Sequence, residues 1–339
     1  MNPEAVDRTE RVPHGSSDDP DVLDFSANIN PRTPPGTRAA YEDALDAART
    51  YPPRGYPDYR VAAADYADCD PPHVVPTAGG LQAIRLTIAT HVSPGDGVLL
   101  PAPSFGEYAR EVRLQGGEPT FVPHDELVDA DPADHTLAVV CVPNNPTGDA
   151  PTPDALRAFA RRCRAADTLL LADEAFLGFT DRDSLAGEAG VVAARSLTKL
   201  FGLPGLRAGF AVARGRALDR LQTAVPAWAL GTPAAAAGAR AMRADEFVRE
   251  TRDRVAGERE RMRDRLGTRF DVHDGEAPFL CCRLRDDDPD GSVPALTARL
   301  DREGIAVRDA TTFRGLDRHV RVAVRLPDEN DRLLEALDV

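Results

Sequence analysis

The feature that most constrains the fold is a regular alternation of short apolar runs with helical stretches in the middle of the chain. The apolar runs have the length of strands and occupy residues 97–100, 118–122, 137–142, 169–172, 190–193 and 209–212. Stretches with helical periodicity, such as 81–91 and 152–165, lie between several of them. Strands that alternate with helices in this way form a mostly parallel sheet covered on both faces. The sequence therefore predicts an α/β fold for this region.

After residue 214 the pattern changes, and helices dominate. Helices are predicted over 217–225, 233–243 and 245–266, and a strand, helix, strand, strand, helix order follows between residues 279 and 337. This order is typical of a smaller α+β lobe, to which the N-terminal segment could return. We therefore predict an N-terminal arm that joins the small lobe (1–40), a large domain (41–230) and a small C-terminal domain (231–339).

The first sixty residues are harder to assign from their pattern. Residues 1–20 are rich in Asp, Ser and Pro, and we expect them to form a mobile arm. A helix is predicted over 35–48. Residues 51–59 carry several prolines, which cannot continue a helix, so this segment is predicted to be an extended connector.

Lys199 is the only lysine in a chain of 339 residues. The chain has 41 lysines and arginines in total, and all of them except Lys199 are arginines. A guanidinium stays protonated and cannot bond covalently to an aldehyde carbon, whereas an amine can. The single amine therefore points to covalent chemistry at Lys199, although a surface lysine is also compatible with this stretch alone.

The spacing around Lys199 adds a resemblance. Ser196 precedes it by three residues and Arg207 follows it by eight, which resembles the active-site segment of the fold-type I pyridoxal-phosphate enzymes, the aspartate aminotransferase superfamily. The resemblance implies an aspartate-aminotransferase-like fold, with a large lobe on a mostly parallel sheet and a smaller α+β lobe, and pyridoxal 5'-phosphate as cofactor. In that family the lysine is bonded to the cofactor, and the serine hydroxyl and the arginine hold its phosphate.

Further positions match the same family in chain order. Gly79 and Gly80, followed by Leu81, open a helix whose backbone N–H groups can hold the cofactor phosphate, although a Gly pair is also an ordinary turn. Asn145, in an Asn-Pro-Thr-Gly turn, matches the family's donor to the phenolate oxygen of the cofactor. That tetrad is also a common turn in proteins without a cofactor.

Asp173 and Phe105 complete the cofactor set. Asp173 follows the apolar run 169–172, and a carboxylate at the end of a buried strand needs a cation beside it. The resemblance supplies one in the protonated ring nitrogen of the cofactor. Phe105 matches the aromatic residue that stacks on the cofactor ring, and an ordinary core aromatic is equally compatible. Lys199 and Asp173 are accordingly the expected catalytic residues.

Nearly the whole chain resembles the L-threonine-O-3-phosphate decarboxylases, relatives of the histidinol-phosphate aminotransferases. The similarity is carried by the segment 24–31 with His14 and Gly15 before it, and by Phe176, where most aminotransferases have a Tyr that hydrogen-bonds the cofactor phenolate. The segments 313–317, 320–325 and 329–334 complete it. It implies decarboxylation of L-threonine O-3-phosphate to (R)-1-amino-2-propanol O-phosphate, a step of cobalamin assembly. One departure is Ala78, where the relatives usually have an Asn side-chain donor.

The same resemblance implies a set of substrate contacts. Arg321 would bind the α-carboxylate, and Arg308, with His14 and Tyr56 from the facing subunit of a homodimer, would surround the phosphate; Asn28 is a further candidate. Arginine suits both anions because its planar fork pairs bidentately with carboxylate or phosphate. Both arginines could instead be solvated strand residues.

The sequence is compatible with two other functions. A histidinol-phosphate or related class I/II aminotransferase would use the same Lys199, Asp173 and phosphate site, and would accept a 2-oxo acid in a second half-reaction. A non-catalytic, pyridoxal-phosphate-binding or regulatory domain is disfavoured by the intact Lys199.

Bulk properties bound the partners and the compartment. The formal net charge of -14 argues against a nucleic-acid partner. The acidic excess and the scarcity of Lys resemble the surface composition of a halophile's protein, although codon bias explains the scarcity of Lys equally well. The five cysteines have no metal-ligand spacing and no disulfide pattern, which favours a reducing compartment and no metal site. No apolar run approaches 18 residues, so we expect a cytoplasmic enzyme without membrane contact.

Overall fold

The computed structural model describes residues 1–339. Its largest sheet has seven strands in the order β2-β8-β7-β6-β5-β3-β4. These strands are β2 (Val74–Thr77), β3 (Gly97–Ala102), β4 (Glu118–Pro123), β5 (Leu137–Cys141), β6 (Leu169–Asp173), β7 (Val191–Ser196) and β8 (Gly209–Val212). β8 is the one strand that runs opposite to the other six, so it is antiparallel to both β2 and β7. This confirms the mostly parallel sheet.

The C-terminal lobe is built on a second, fully antiparallel sheet. Its order is β12-β13-β10-β9, with β9 (Phe270–Val272), β10 (Phe279–Leu284), β12 (Arg308–Asp309) and β13 (His319–Ala323). A separate pair joins β1 (Leu23–Asp24) to β11 (Ile305–Ala306) in parallel. The N-terminal segment is therefore hydrogen-bonded to the C-terminal lobe, while the domain limits at residues 40 and 230 stay predictions.

The helices follow the predicted alternation. The helix over 107–114 has no counterpart among the predicted helices, and the other differences lie in the first seventy residues. The helices are α1 (Pro3–Val6), α2 (Thr37–Asp43), α3 (Pro57–Ala67), α4 (Gly80–His91), α5 (Glu107–Leu114), α6 (Pro153–Ala165), α7 (Gly215–Ala224), α8 (Thr232–Met242), α9 (Asp245–Leu266), α10 (Val293–Arg302) and α11 (Pro327–Ala336). None of them combines the length and the apolar character needed to cross a membrane.

The predicted connector over 51–59 is wrong at its C-terminal end, where α3 begins. Pro57 is the first helical residue, a position that tolerates proline because the missing N–H would have no partner there. Tyr59 is buried, and its hydroxyl donates to the Gly209 carbonyl at 3.0 Å. The predicted helix over 35–48 is also too long, since α2 ends at Asp43 and a separate 3₁₀ turn follows.

Side chains of the central strands alternate between two apolar layers. Val139 and Leu171 belong to the layer that includes α4 and α5, whereas Val140 and Leu170 belong to the layer that includes α6. This alternation is the period of two that a strand imposes, with both faces of the sheet covered. Because β5, β6 and β7 run parallel to one another, polar groups at their carboxyl ends emerge together at one edge of the sheet.

Candidate active site

A cavity of about 560 Å³ lies at the carboxyl ends of the parallel strands. Asn145 follows β5, Asp173 ends β6 and Lys199 follows β7, and all three line this cavity. In open α/β sheets this edge is where ligands bind. The structure thus brings together the three polar residues that the sequence singled out at three separate places.

Lys199 is half-buried, and its Nζ lies 5.9 Å from the centre of the Phe176 ring. Burial, with a further contribution from the charge of Arg321, lowers the pKa of Lys199 to about 8, against the opposing effect of Asp173. A neutral amine is the form that attacks a carbonyl carbon. Near neutral pH the site therefore holds a larger neutral, reactive fraction of this lysine than an exposed lysine would have.

The turn that carries Lys199 is held by Asn30, a residue to which the sequence analysis assigned no role. The Asn30 backbone N–H donates to the Lys199 carbonyl at 3.0 Å, and its Nδ2 donates to the Leu200 carbonyl at 2.8 Å. Arg254 of α9 donates to the Asn30 Oδ1 at 2.9 Å. Asn30 stands in the segment 24–31 that carried the resemblance, which is the signal that could have indicated it.

Asp173 is buried and held by two donors. The Tyr108 hydroxyl donates to its Oδ2 at 2.5 Å, and the Ala175 N–H donates to its Oδ1 at 3.0 Å. Burial raises the pKa of Asp173, while the Tyr108 hydrogen bond opposes that rise. Tyr108 was missed at the sequence level, although it stands three residues after Phe105, and the two rings meet edge to face at 5.6 Å.

Gly79, Gly80, Ser196 and Arg207 form a cradle at the N-terminus of α4. A Cβ on Gly79 would lie 2.8 Å from the Arg207 Nη2, and a Cβ on Gly80 would lie 3.0 Å from the Ser196 Cβ. Gly79 also has a φ of 92°, which a side chain disfavours. A helix N-terminus with a hydroxyl and a guanidinium beside it suits a phosphate group. Leu81 and Arg207 line an adjoining cavity, not the one that holds Lys199.

Arg321 is a buried cation without a carboxylate partner. Its Nη1 donates to the Asn145 Oδ1 at 2.5 Å and its Nη2 to the Ser26 carbonyl at 2.9 Å, while its Nε is buried and unpartnered. Burial, followed by the charge of Arg308, lowers the pKa of Arg321. A guanidinium keeps its proton, so Arg321 remains charged in spite of its burial. An anion bound in the cavity would therefore stabilise it.

Arg308 lies beside Arg321 and is tied to the N-terminal arm. Its Nη2 donates to the Pro13 carbonyl at 2.8 Å and to the Thr312 Oγ1 at 2.9 Å. The structure differs from the prediction for His14, because this residue lines the cavity of its own chain. The arm reaches it by lying along α5, where the Asn2 N–H donates to the Leu114 carbonyl at 2.8 Å.

The remaining two substrate candidates lie in different places. Asn28 lines the Lys199 cavity, and its Oδ1 is buried without a partner. The Tyr56 hydroxyl instead donates to the Leu230 carbonyl at 2.9 Å, in a separate groove that includes Trp228. Its role in the site of a facing subunit therefore stays a prediction.

Phe105 and Phe176 supply the apolar walls of the cavity. Phe105 also meets the His14 ring at 5.8 Å, and Phe176 packs edge to face on Phe279 at 5.1 Å. Two aromatic walls, a buried carboxylate, an amine and a phosphate cradle are the groups that pyridoxal phosphate requires of a protein. The residues present therefore fit this cofactor.

Comparison with known proteins gives a consistent result. The chain matches the model of the family "Aminotransferase class I and II" over residues 20–337. Histidinol-phosphate aminotransferase 1 of Archaeoglobus fulgidus is 31% identical over 324 residues, covering 93% of this chain and 98% of that protein. Threonine-phosphate decarboxylase of Salmonella typhimurium is 31% identical over 335 residues, covering 93% of this chain and 90% of that protein.

A solved structure extends the similarity to three dimensions. Histidinol-phosphate aminotransferase from Sinorhizobium meliloti, in complex with pyridoxal-5'-phosphate, superposes with a TM-score of 0.82 at 21% identity, covering 92% of this chain and 88% of that one. An aspartate aminotransferase from Thermus thermophilus superposes with a TM-score of 0.80 at 22% identity, covering 100% of this chain and 98% of that one, which confirms the predicted aspartate-aminotransferase-like fold. With the family model spanning both lobes, the chain belongs to the class I and II aminotransferase family and is a pyridoxal 5'-phosphate enzyme.

Proposed function

We propose that the chain decarboxylates L-threonine O-3-phosphate to (R)-1-amino-2-propanol O-phosphate. The observation that carries this proposal is the pair Arg308 and Arg321, which stand opposite each other on β12 and β13 and line the cavity of Lys199. Every hydrogen bond that they donate goes to a neutral acceptor. A small substrate with two anionic groups is the ligand that such a pair favours.

Arg321 is the candidate for the α-carboxylate. It lies deeper than Arg308, since it is buried while Arg308 is half-buried, and it contacts Asn145. Because the Asn145 Oδ1 accepts from Arg321, the amide NH₂ of Asn145 is left as a donor to the cofactor. Asn145 would thus join the carboxylate site to the cofactor site.

Arg308 is the candidate for the phosphate, with His14 on the arm beside it. Both line the cavity, together with other residues of the arm. Two fixed anion contacts would hold the substrate in one orientation and so decide which bond at Cα is perpendicular to the cofactor ring. Orientation of the Cα–carboxylate bond in that position selects loss of carbon dioxide over loss of the α-proton.

The reaction then needs a proton at Cα. The bound cofactor supplies a conjugated ring that accepts the electron pair released when the Cα–carboxylate bond breaks. Asp173, held by Tyr108, stabilises a positive charge on the ring nitrogen. Lys199 is the amine in the cavity, and in its protonated form it would deliver a proton to Cα after carbon dioxide leaves and become the neutral amine.

Phe176 favours this outcome over amino transfer. Its ring is buried beside Lys199 and carries no hydroxyl that could donate to the phenolate oxygen of the cofactor. That contact would come from Asn145 alone. A weaker set of donors changes the proton balance between cofactor and substrate nitrogen, on which amino transfer depends.

The alternative is a histidinol-phosphate or related aminotransferase, and relatives of both kinds are 31% identical to this chain. One experiment separates the two functions. Holoenzyme is given L-threonine O-3-phosphate while carbon dioxide is measured, and histidinol phosphate with a 2-oxo acid while the new amino acid is measured. Carbon dioxide release with little amino transfer supports the decarboxylase, and the reverse result assigns the aminotransferase. Lys199→Arg is the control that abolishes either reaction.

We also propose that the chain acts as a homodimer in which Tyr56 reaches the site of the facing subunit. The support is an exposed aromatic pair near Tyr56, in which Tyr51 and Trp228 stack at 4.1 Å while remaining 75% and 51% exposed. Large exposed aromatics of this kind mark interaction surfaces. Light scattering of wild type and a Tyr51→Ser/Trp228→Ser double variant tests this, since a monomeric wild type contradicts it.

A further inference from the structure

Glu107 is a buried carboxylate that lies behind His14 at the edge of the cavity. It is the first residue of α5 and is 5% exposed. Its Oε1 lies 3.1 Å from the His14 Nε2, and its Oε2 accepts from the Arg110 Nη1 at 3.3 Å. A buried carboxylate is costly unless it is paired, so these two contacts determine what Glu107 does.

The contact with Glu107 decides which nitrogen of His14 faces the ligand. An ionised carboxylate only accepts hydrogen bonds, so the His14 Nε2 carries a proton and donates a hydrogen bond to the Glu107 Oε1. The His14 side chain is 51% exposed and lines the cavity. Nδ1 is therefore the ring nitrogen that is free to meet a ligand.

The arm also places His14 next to Arg308. Arg308 donates to the carbonyl of Pro13, the residue just before His14, at 2.8 Å. The residue after it is Gly15, where a Cβ would lie 2.4 Å from the Ser26 carbonyl oxygen and 3.2 Å from the Arg308 Cδ. Only a glycine lets the arm pass this close, so His14 and Arg308 are held side by side.

Charged groups of both signs lie on the elements packed against His14. They are Glu107 and Arg110 on α5, Arg308 on β12, and Glu10 and Arg11 on the arm. Arg110 is occupied by Glu107 and Glu111. Arg308 has no carboxylate partner, so a ligand that meets both Arg308 and the His14 Nδ1 is one with a dense negative charge, such as a phosphate monoester.

We propose that Glu107 is a positioning residue that keeps a proton on the His14 Nε2, so that Nδ1 takes a second proton from solvent when a phosphate monoester binds and becomes a charged donor to it. This inference rests on the proposed function, because it makes the substrate phosphate the ligand. Glu107 would thus act from outside the cavity wall, and phosphate binding would be coupled to the uptake of a proton. A neutral Gln at position 107 can accept a hydrogen bond but does not stabilise an imidazolium.

The test is titration calorimetry of holoenzyme with L-threonine O-3-phosphate in two buffers of equal pH and different heats of ionisation. Wild type should take up a proton on binding. Glu107→Gln and His14→Gln should each lose that uptake and bind roughly 10- to 100-fold more weakly, the range for one hydrogen bond to a charged group. Plain threonine should bind equally to all three proteins.

Glu111→Gln is the matched control, because Glu111 is also buried on α5 and pairs with Arg110 and Arg85 but not with His14. It should keep the proton uptake. The double variant Glu107→Gln/His14→Gln should be no weaker than His14→Gln, since both act through one contact. Proton uptake that survives in Glu107→Gln, or that is lost equally in Glu111→Gln, overturns the proposal.

Failure of the proposed function can be told apart from failure of this inference. Inorganic phosphate is used as the probe if threonine phosphate does not bind. Proton uptake with inorganic phosphate that is lost in Glu107→Gln supports the His14 and Glu107 pair even then. If Glu107→Gln does not fold, His14→Gln still decides, because the His14 side chain is half exposed and uptake that survives its removal overturns the proposal.

Discussion

Arg308 and Arg321 are directly opposite each other on the antiparallel strands β12 and β13, so their side chains lie on the same face of the sheet. Like charges in this position repel, and neither arginine donates a hydrogen bond to a carboxylate. An anionic ligand between them would remove this repulsion. The cavity is thus prepared for negative charge in a chain whose own formal net charge is -14.

Arg308→Ala should weaken the phosphorylated substrate alone. Loss of a half-buried contact to phosphate should raise the KM for L-threonine O-3-phosphate roughly 30-fold. This corresponds to a loss of about 2 kcal/mol of binding free energy. Plain threonine lacks the phosphate and should bind no worse than before. Steady-state kinetics with both compounds measure this. Equal weakening of the two would mean that Arg308 supports the fold and does not bind the phosphate.

Arg321→Ala should weaken both compounds, because both carry the α-carboxylate. The same change removes the donor to the Asn145 Oδ1, so kcat should fall together with the rise in KM. A loosened substrate should also exchange its α-proton with solvent, which proton NMR in D₂O detects. A variant that loses affinity for threonine phosphate and keeps it for threonine would contradict the carboxylate role.

Borohydride reduction of the holoenzyme should attach the cofactor to Lys199. Because Lys199 is the only lysine, peptide mapping should find one modified side chain. Lys199→Arg supplies the control, since a guanidinium cannot form the link. Label found only on the N-terminal amine would remove Lys199 from the site.

Uptake of pyridoxal phosphate by the apoprotein should speed up as the pH rises. The pKa of Lys199 is lowered to about 8 by burial, so the amine is mostly charged below that pH and mostly neutral above it. Only the neutral amine attacks the aldehyde, and the rate should therefore rise through about pH 8 and level off above it. Stopped-flow absorbance follows the reaction. A rate that does not change between pH 6.5 and 9 would argue against a buried amine as the nucleophile.

Asp173→Asn should retain some cofactor and lose most turnover. An amide cannot stabilise a proton on the ring nitrogen, so the cofactor would be a poorer electron sink. Tyr108→Phe should show a milder loss, because it removes only the 2.5 Å donor to the Asp173 Oδ2. Cofactor content by absorbance and kcat are measured side by side. Full activity of Asp173→Asn would exclude this carboxylate from the reaction.

Contacts between distant segments account for what sequence reasoning missed. Tyr108 stands in the motif that contained Phe105, but its bond to Asp173 depends on how α5 lies against the end of β6, 65 residues away in sequence. Asn30 likewise contacts the Lys199 turn from 170 residues away in sequence, through its hydrogen bond to the Leu200 carbonyl. The prolines before Tyr59 predict a break in any helix, whereas Pro57 is the first residue of α3 and Tyr59 is buried in the core.

The sequence by itself determined the alternation of strands and helices, the single amine at Lys199 and the order of Asn145, Asp173 and Ser196 behind successive strands. These are local signals, since apolar periodicity and residue chemistry need no knowledge of the rest of the chain. Only the tertiary structure decided that Arg308 faces Arg321, that His14 enters the cavity of its own chain and that Glu107 lies behind it. Those relationships depend on how strands pair and how the arm packs on α5, and packing of this kind is set by the whole core and is not encoded in any one segment.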